Sequence, residues 1–298
     1  MGKSWRLPGA AVLAGIVGLL VRLAYLNNGF EVGTNLPLSG APTMWLMLLV
    51  AVAVVVVLAL LCRGKHRQFD QCYTGAFSSG RLVWNAGALA GAVLLVVGGF
   101  LALLTWVNSP LDTVNQQRTV SIAWALLGIL ALLAGAGIYF LQVQMRRGRP
   151  ILTGWTALPG FACCLWIMAN YYTYWAAEPS LGRYGIPLLA VALSLLACME
   201  MGALAFGKVK TGQLLFLCLA AGAFNLMALA DGLPLADTAL YLGMTLYLLS
   251  SAGVLAENDA KPAGLPPCAD HCPQCAGCAP MGTMKEPEKK KKGKAAQS

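Results

Sequence analysis

The sequence predicts an all-α membrane protein: a polytopic bundle of eight transmembrane helices, N-in and C-in, followed by a disordered cytoplasmic tail. Three observations carry that expectation. Eight long apolar stretches, each sized to cross a bilayer, are separated by short polar segments. Hydrophobic residues make up 58% of the chain and charged ones 11%, far from the balance of a water-soluble domain. Lysine and arginine fall on alternate connections, as the positive-inside rule demands. Backbone surrounded by hydrocarbon must satisfy its own hydrogen bonds, and these runs are too long for barrel strands, so helices are the remaining solution.

Taken in order, the first span covers 7–26, behind Lys3 and Arg6. It resembles a secretory signal, but its apolar run is long for a signal core, and cleavage would shift the charge alternation to the wrong end. The second span, 43–62, gives way to Arg63, Lys65 and Arg67. In the inner loop 63–83, Phe69, Tyr73 and Phe77 at steps of four would line one face of a short helix on the membrane surface, while Gly75 and Gly80 favour a solvated basic linker. The third span, 84–106, is bracketed by Trp84 and Trp106 and carries Gly87 and Gly91 at helix-packing spacing, as Gly15 and Gly18 do in the first.

The fourth span, 119–145, runs into Arg146, Arg147 and Arg149. The fifth covers 152–175, the sixth 187–206 ahead of Lys208 and Lys210, the seventh 213–230 and the eighth 239–256. Eleven basic residues therefore lie on one side, against Arg118 and Arg183 on the other. That distribution by membrane side gives the net charge of +9 no compact basic face, and nucleic acid is excluded as a partner. Trp5, Trp45, Trp155 and Trp175 also fall near span ends, in the headgroup layer, whereas Trp124 and Trp166 lie deeper and pack.

Two domains follow: a transmembrane unit over 1–256 and a tail over 257–298. The tail is rich in Pro, Gly, Lys and Cys and cannot bury enough apolar surface to order itself. Cys268, Cys272, Cys275 and Cys278 form a C-x3-C-x2-C-x2-C cluster beside Asp270 and His271, competent to hold zinc or another thiophilic metal. The alternative is an inert cysteine-rich tail with no cofactor. Six lysines within 285–294 would draw the chain end, Lys285 to Lys294, to anionic lipid.

Ionisable groups within the spans are the clearest pointers to function, because burying charge in lipid is costly. Arg22 stands about 22 Å and Glu200 about 9 Å from the inner ends of their spans, too far apart in depth to pair. Arg22 reads as snorkelling past Tyr25 to the outer headgroups. Glu200 is protonated, bonded to a neighbouring helix, or lines a wet cavity. Asn170 opens a cluster with Tyr171, Tyr172, Tyr174 and Trp175 near Glu178 and Arg183, readable either as the mouth of an outward pocket or as an aromatic belt. Asn225, Asn85 and Thr245 are of the kind that join helices by hydrogen bonds.

The strings of known intramembrane and nucleotide chemistry, HExxH, paired intramembrane aspartates, Gly-x-Ser-x-Gly and the P-loop, are missing, so an enzyme is not expected. The string GLLVRLAYL with Arg22, Asn27, Asn28, Phe30 and Glu31 beyond it, together with the loop from Phe69 to Arg81, resembles uncharacterised multi-spanning membrane proteins of Gram-positive gut bacteria. That resemblance implies a bacterial cytoplasmic membrane and carries no activity with it. Two functions are expected from the residues: a bundle that handles or senses a small solute through Arg22, Asn170, Glu200 and Asn225, or a membrane anchor whose cysteine tail binds metal or a protein.

Overall fold

The computed structural model describes residues 3–31, 36–38, 40–69, 73–110, 120–147, 154–174, 181–207 and 209–260. The cysteine and lysine clusters of the tail, with Cys72, Arg118, Arg149, Trp175, Glu178 and Lys208, lie outside these residues. Nine α-helices run through the described chain: α1 Lys3–Asn28, α2 Pro42–Leu61, α3 Tyr73–Phe77, α4 Leu82–Asn108, α5 Ile122–Arg146, α6 Gly154–Thr173, α7 Leu181–Ala203, α8 Thr211–Ala228 and α9 Leu235–Asp259.

Local chemistry sets several of the ends. Pro42 opens α2, where its missing N–H is one that a first turn leaves unbonded anyway. The Ser121 hydroxyl accepts from the Ala123 N–H at 3.2 Å and caps α5. Past α8 a single 3-10 turn, Leu229–Asp231, leads into Gly232, whose φ of +62° lies in the left-handed region that glycine enters without strain. Pro234 then starts the return, so α8 and α9 form a tight hairpin.

Contacts between helix ends show that the eight long helices alternate in direction. At one end, Arg22 of α1 meets the first turn of α7 and the end of α8, and Trp124 of α5 meets Tyr174 just past α6. At the other, Trp5 of α1 meets Trp84 of α4, Phe140 of α5 meets Trp155 of α6, and Glu200 of α7 meets Gln213 of α8. These are called the Arg22 end and the His66 end below. Arg6, Arg63, Lys65, Arg67, Arg81, Arg146, Arg147 and Lys210 all lie at the His66 end, on helix termini or in the loops joining them.

Seven of the long helices are apolar enough, over enough residues, to cross a membrane. The exception is α6. The expected span over 152–175 is a helix of 20 residues, but Trp155, Pro159, Asn170 and the tyrosines beyond it dilute its apolar run. Boundaries also shift: α7 begins at Leu181 instead of 187, with Pro187 inside it, and α9 begins at Leu235 instead of 239.

Burial ranks the helices. Of its most apolar stretch, α9 has 89% buried and α8 78%, so this hairpin is the centre; α2 has 17% buried and presents Leu48, Leu49, Val52, Val56, Val57 and Leu60 outward. Small residues let backbones close on the centre. A methyl group on Gly91 of α4 would sit 2.7 Å from the Gly243 carbonyl of α9, and one on Gly15 of α1 would sit 2.8 Å from Leu226 of α8.

The aromatic loop also differs from either expectation. Phe69, Tyr73 and Phe77 are 1%, 4% and 4% exposed, turned into the protein instead of onto a lipid surface or into water. The Asn258 amide near the end of α9 ties the loop down by donating to the Ala76 and Ser78 carbonyls at 2.8 and 3.0 Å.

Candidate functional site

Arg22 does not snorkel. Its side chain is 1% exposed, and its Nε donates to Asp231 Oδ1 at 2.7 Å. The remaining nitrogens donate to main chain in α7, Nη1 to the Gly182 carbonyl at 2.8 Å and Nη2 to the Arg183 carbonyl at 2.6 Å. Proline explains one of these bonds. Pro187 has no N–H to offer the carbonyl four residues before it, which is that of Arg183, and the guanidinium supplies the missing donor. Asp231 follows α8 at its C-terminal end, where the helix dipole disfavours an anion, so the cation is also what makes a carboxylate tolerable there. The Tyr25 ring lies 5.4 Å beneath the guanidinium. Asp231 Oδ2 is buried with no hydrogen-bond partner among the described residues.

A second carboxylate lies at the same end. Asp237 is 1% exposed in the first turn of α9, at the positive end of that helix dipole. Trp166 of α6 donates to its Oδ1 at 2.6 Å, and the Asn170 amide one turn on donates to the same carboxylate. With the Asn170 amide turned to satisfy both its atoms, Nδ2 reaches Oδ2 at 3.2 Å and the amide oxygen accepts from Trp166 at 2.9 Å. Tyr241, one turn further along α9, packs at a tilt against Trp166 at 4.4 Å between ring centres and donates its hydroxyl to the Pro187 carbonyl at 3.2 Å. It lies within electrostatic reach of both aspartates. Side chains from α1, α6, α9 and the turn after α8 thus bring two carboxylates, the Arg22 guanidinium, an indole and a phenol into one dry region, closed by main-chain carbonyls of α7.

Of the residues singled out by sequence, Arg22 and Asn170 belong here, and Asn225 and Glu200 do not. Asn225 is wholly buried within the bundle, where its amide donates to Ser194 Oγ at 3.0 Å and joins α8 to α7. Glu200 is half-buried near the end of α7, 3.5 Å from the Gln213 amide at the opposite end of the bundle. The two aspartates escaped sequence reasoning because they interrupt the apolar runs and read as an outer loop. The only signal for them was the loop's brevity: so few residues between two spans cannot carry Asp231 and Asp237 far from the helix ends.

The His66 end holds different chemistry. His66 Nδ1 stands 2.9 Å from Asp259 Oδ2 and Nε2 2.7 Å from the Cys62 carbonyl, while the Arg67 N–H donates to Asp259 Oδ1 at 2.6 Å. Both ring nitrogens therefore face acceptors, which the imidazole satisfies together only when doubly protonated. Burial pushes the neighbouring Cys62 thiol up to about 11, so it stays a neutral thiol in neutral water. Arg81 pairs with Glu257 at 3.1 Å, both partly exposed. Among the described residues no three His, Cys, Asp or Glu side chains come together as metal ligands.

No family model, curated protein or solved structure matches this chain.

Proposed function

We propose that the chain is an eight-span bundle, α6 included, with both ends of the described chain on the cytoplasmic side of a bacterial membrane, and that it handles or senses a small cation or a proton at the Asp231 and Asp237 cluster. The carrying observation is Asp237: a carboxylate 1% exposed at one end of a lipid-facing bundle, held by the neutral donors Trp166 and Asn170 instead of a cation. Ionisable groups in such places are expensive, and they persist where they do something. Arg22 and Arg183 both act on Asp231, whereas the groups bonded to Asp237 are neutral, so Asp237 is the carboxylate open to a cation or a proton.

Two further observations support the membrane layout. The alternation of α6 with α5 and α7 gives it the path of a span, and the gathering of basic side chains at the His66 end is the pattern that cytoplasmic segments carry.

The test is thermal unfolding of the full-length protein in detergent across a panel of monovalent cations and small amines, each titrated over pH. A member binding at a hundredfold excess over its Kd should raise the midpoint by about 5 to 10 °C. Asp237→Asn keeps the shape and removes the charge, and should abolish that shift while Glu200→Gln, at the other end, leaves it intact. A panel without any response in the unmodified protein, or one in which Asp237→Asn responds equally, overturns the proposal.

A further inference from the structure

At the His66 end a cleft of about 550 Å³ opens between the start of α1, the end of α2 with the loop after it, the start of α8 and the end of α9. That volume falls in the range of small-molecule sites. Its charge is one-sided. Arg6, Arg63, Lys65 and His66 line it against one carboxylate, Asp259. Both oxygens of Asp259 are already engaged, one by the His66 ring and one by the Arg67 N–H, and Arg6, Arg63 and Lys65 outnumber that one carboxylate. His66 is held by its two acceptors and offers the cleft no spare donor. Arg6, Arg63 and Lys65 are exposed and carry the donors that a ligand would meet.

We infer that this cleft binds a phosphate group. Two arginines and a lysine converging on one space match a tetrahedral anion with several acceptor oxygens: guanidinium forks take oxygens in pairs, and an ammonium adds a point charge. One wall is apolar, formed by Leu7, Leu61 and Leu215, and Leu61 is 48% exposed where the cleft meets the outward face of α2. A phosphate attached to acyl chains would place its headgroup among the cations and its chains along α2. A soluble phosphate would use the cations alone. The inference stands apart from the reading of Asp237, which lies at the other end of the bundle and shares no residue with the cleft.

The test uses the full-length protein in zwitterionic detergent. Thermal midpoint and lipid retained in native mass spectrometry are measured with phosphatidylglycerol, with phosphatidylcholine, and with inorganic phosphate or glycerol 3-phosphate at matched ionic strength. Arg63→Gln with Lys65→Gln removes two cations from an exposed loop, where folding is little affected. Each should contribute about a fivefold change in affinity, so the pair should weaken binding about 25-fold. Arg146→Gln with Arg147→Gln removes the same charge from the exposed end of α5, away from the cleft, and should bind as the unmodified protein does. Stabilisation by phosphatidylglycerol and not by soluble phosphate identifies a lipid headgroup as the source, and stabilisation by both identifies a free phosphate site. No preference for phosphate-bearing anions over phosphatidylcholine and chloride, or equal losses in the two double variants, overturns the inference.

Discussion

The two ends of the bundle use the same residue types under opposite conditions. At the Arg22 end an arginine and an aspartate meet with 1% and 7% of their side chains exposed; at the His66 end Arg81 and Glu257 meet with 48% and 22% exposed. Both are ion pairs by distance, yet only the first has given up nearly all its water. A buried charge is costly without partners, which is why each nitrogen of Arg22 has an acceptor, one in a carboxylate and two in main-chain carbonyls. An exposed one is matched by solvent and is free to serve a ligand. What distinguishes the ends is therefore access to water, and substitutions should separate them by size of effect.

Arg22→Met should be the most damaging change. It leaves Asp231 buried without its cation and strips the donor that replaces the absent Pro187 N–H, at a cost of about 3 to 5 kcal/mol. Unfolding in mixed micelles by a denaturing detergent measures it. Arg22→Lys should fall between, since an ammonium keeps the charge but cannot hold three acceptors in the plane of a fork. Pairing Arg22→Met with Asp231→Leu should recover much of the loss, because no orphaned charge remains. A loss under 1 kcal/mol for Arg22→Met alone would mean that the side chain reaches water after all, and the contrast between the ends would collapse.

The next effect lies between the ends, where α4 closes on α9. Gly91→Ala places a methyl 2.7 Å from the Gly243 carbonyl and 2.8 Å from the Tyr247 nitrogen, both main-chain atoms that move only if the helices part. About 1 to 3 kcal/mol of destabilisation is expected. Gly87→Ala, one turn earlier, meets the Ser250 hydroxyl, which can rotate away, and should cost less. Equal losses at the two positions would indicate that α4 adapts as a whole instead of being pinned at Gly91.

This layout was legible in the sequence wherever lipid itself does the sorting. The second stretch reads as a span because nearly all of it is apolar, and α2 is indeed the least buried of the seven apolar helices. The inverse case was hard to read. α9 is the most buried, so its surroundings are protein, and protein tolerates Asp237, Thr245, Ser250 and Ser251 that a lipid-facing helix would not. Its polar start consequently reads as loop. Pairing is also invisible to a local pattern: Arg22 and Asp231 are 209 positions apart, and depth arithmetic on Arg22 could only compare it with charges already assigned to spans. Asn170 was noticed for its aromatic neighbours, but its partner is Asp237, while Tyr171 and Tyr172 beside it are 50% and 63% exposed and take no part in the cluster.

The smallest change belongs to the wet end. Arg81→Gln breaks a pair in which Arg81 is 48% and Glu257 22% exposed, one Glu257 oxygen being buried, so the loss should be about 1 kcal/mol and should shrink as salt is raised. The same detergent unfolding assay, run at low and high ionic strength, measures both quantities. The salt arm matters more than the size. Screening acts on charges that solvent ions can approach, and the cleft beside His66 needs the same access to admit a phosphate. A loss at Arg81 that persisted undiminished in high salt would show the His66 end to be as dry as the Arg22 end, and a dry end would reject an anion however many cations lined it.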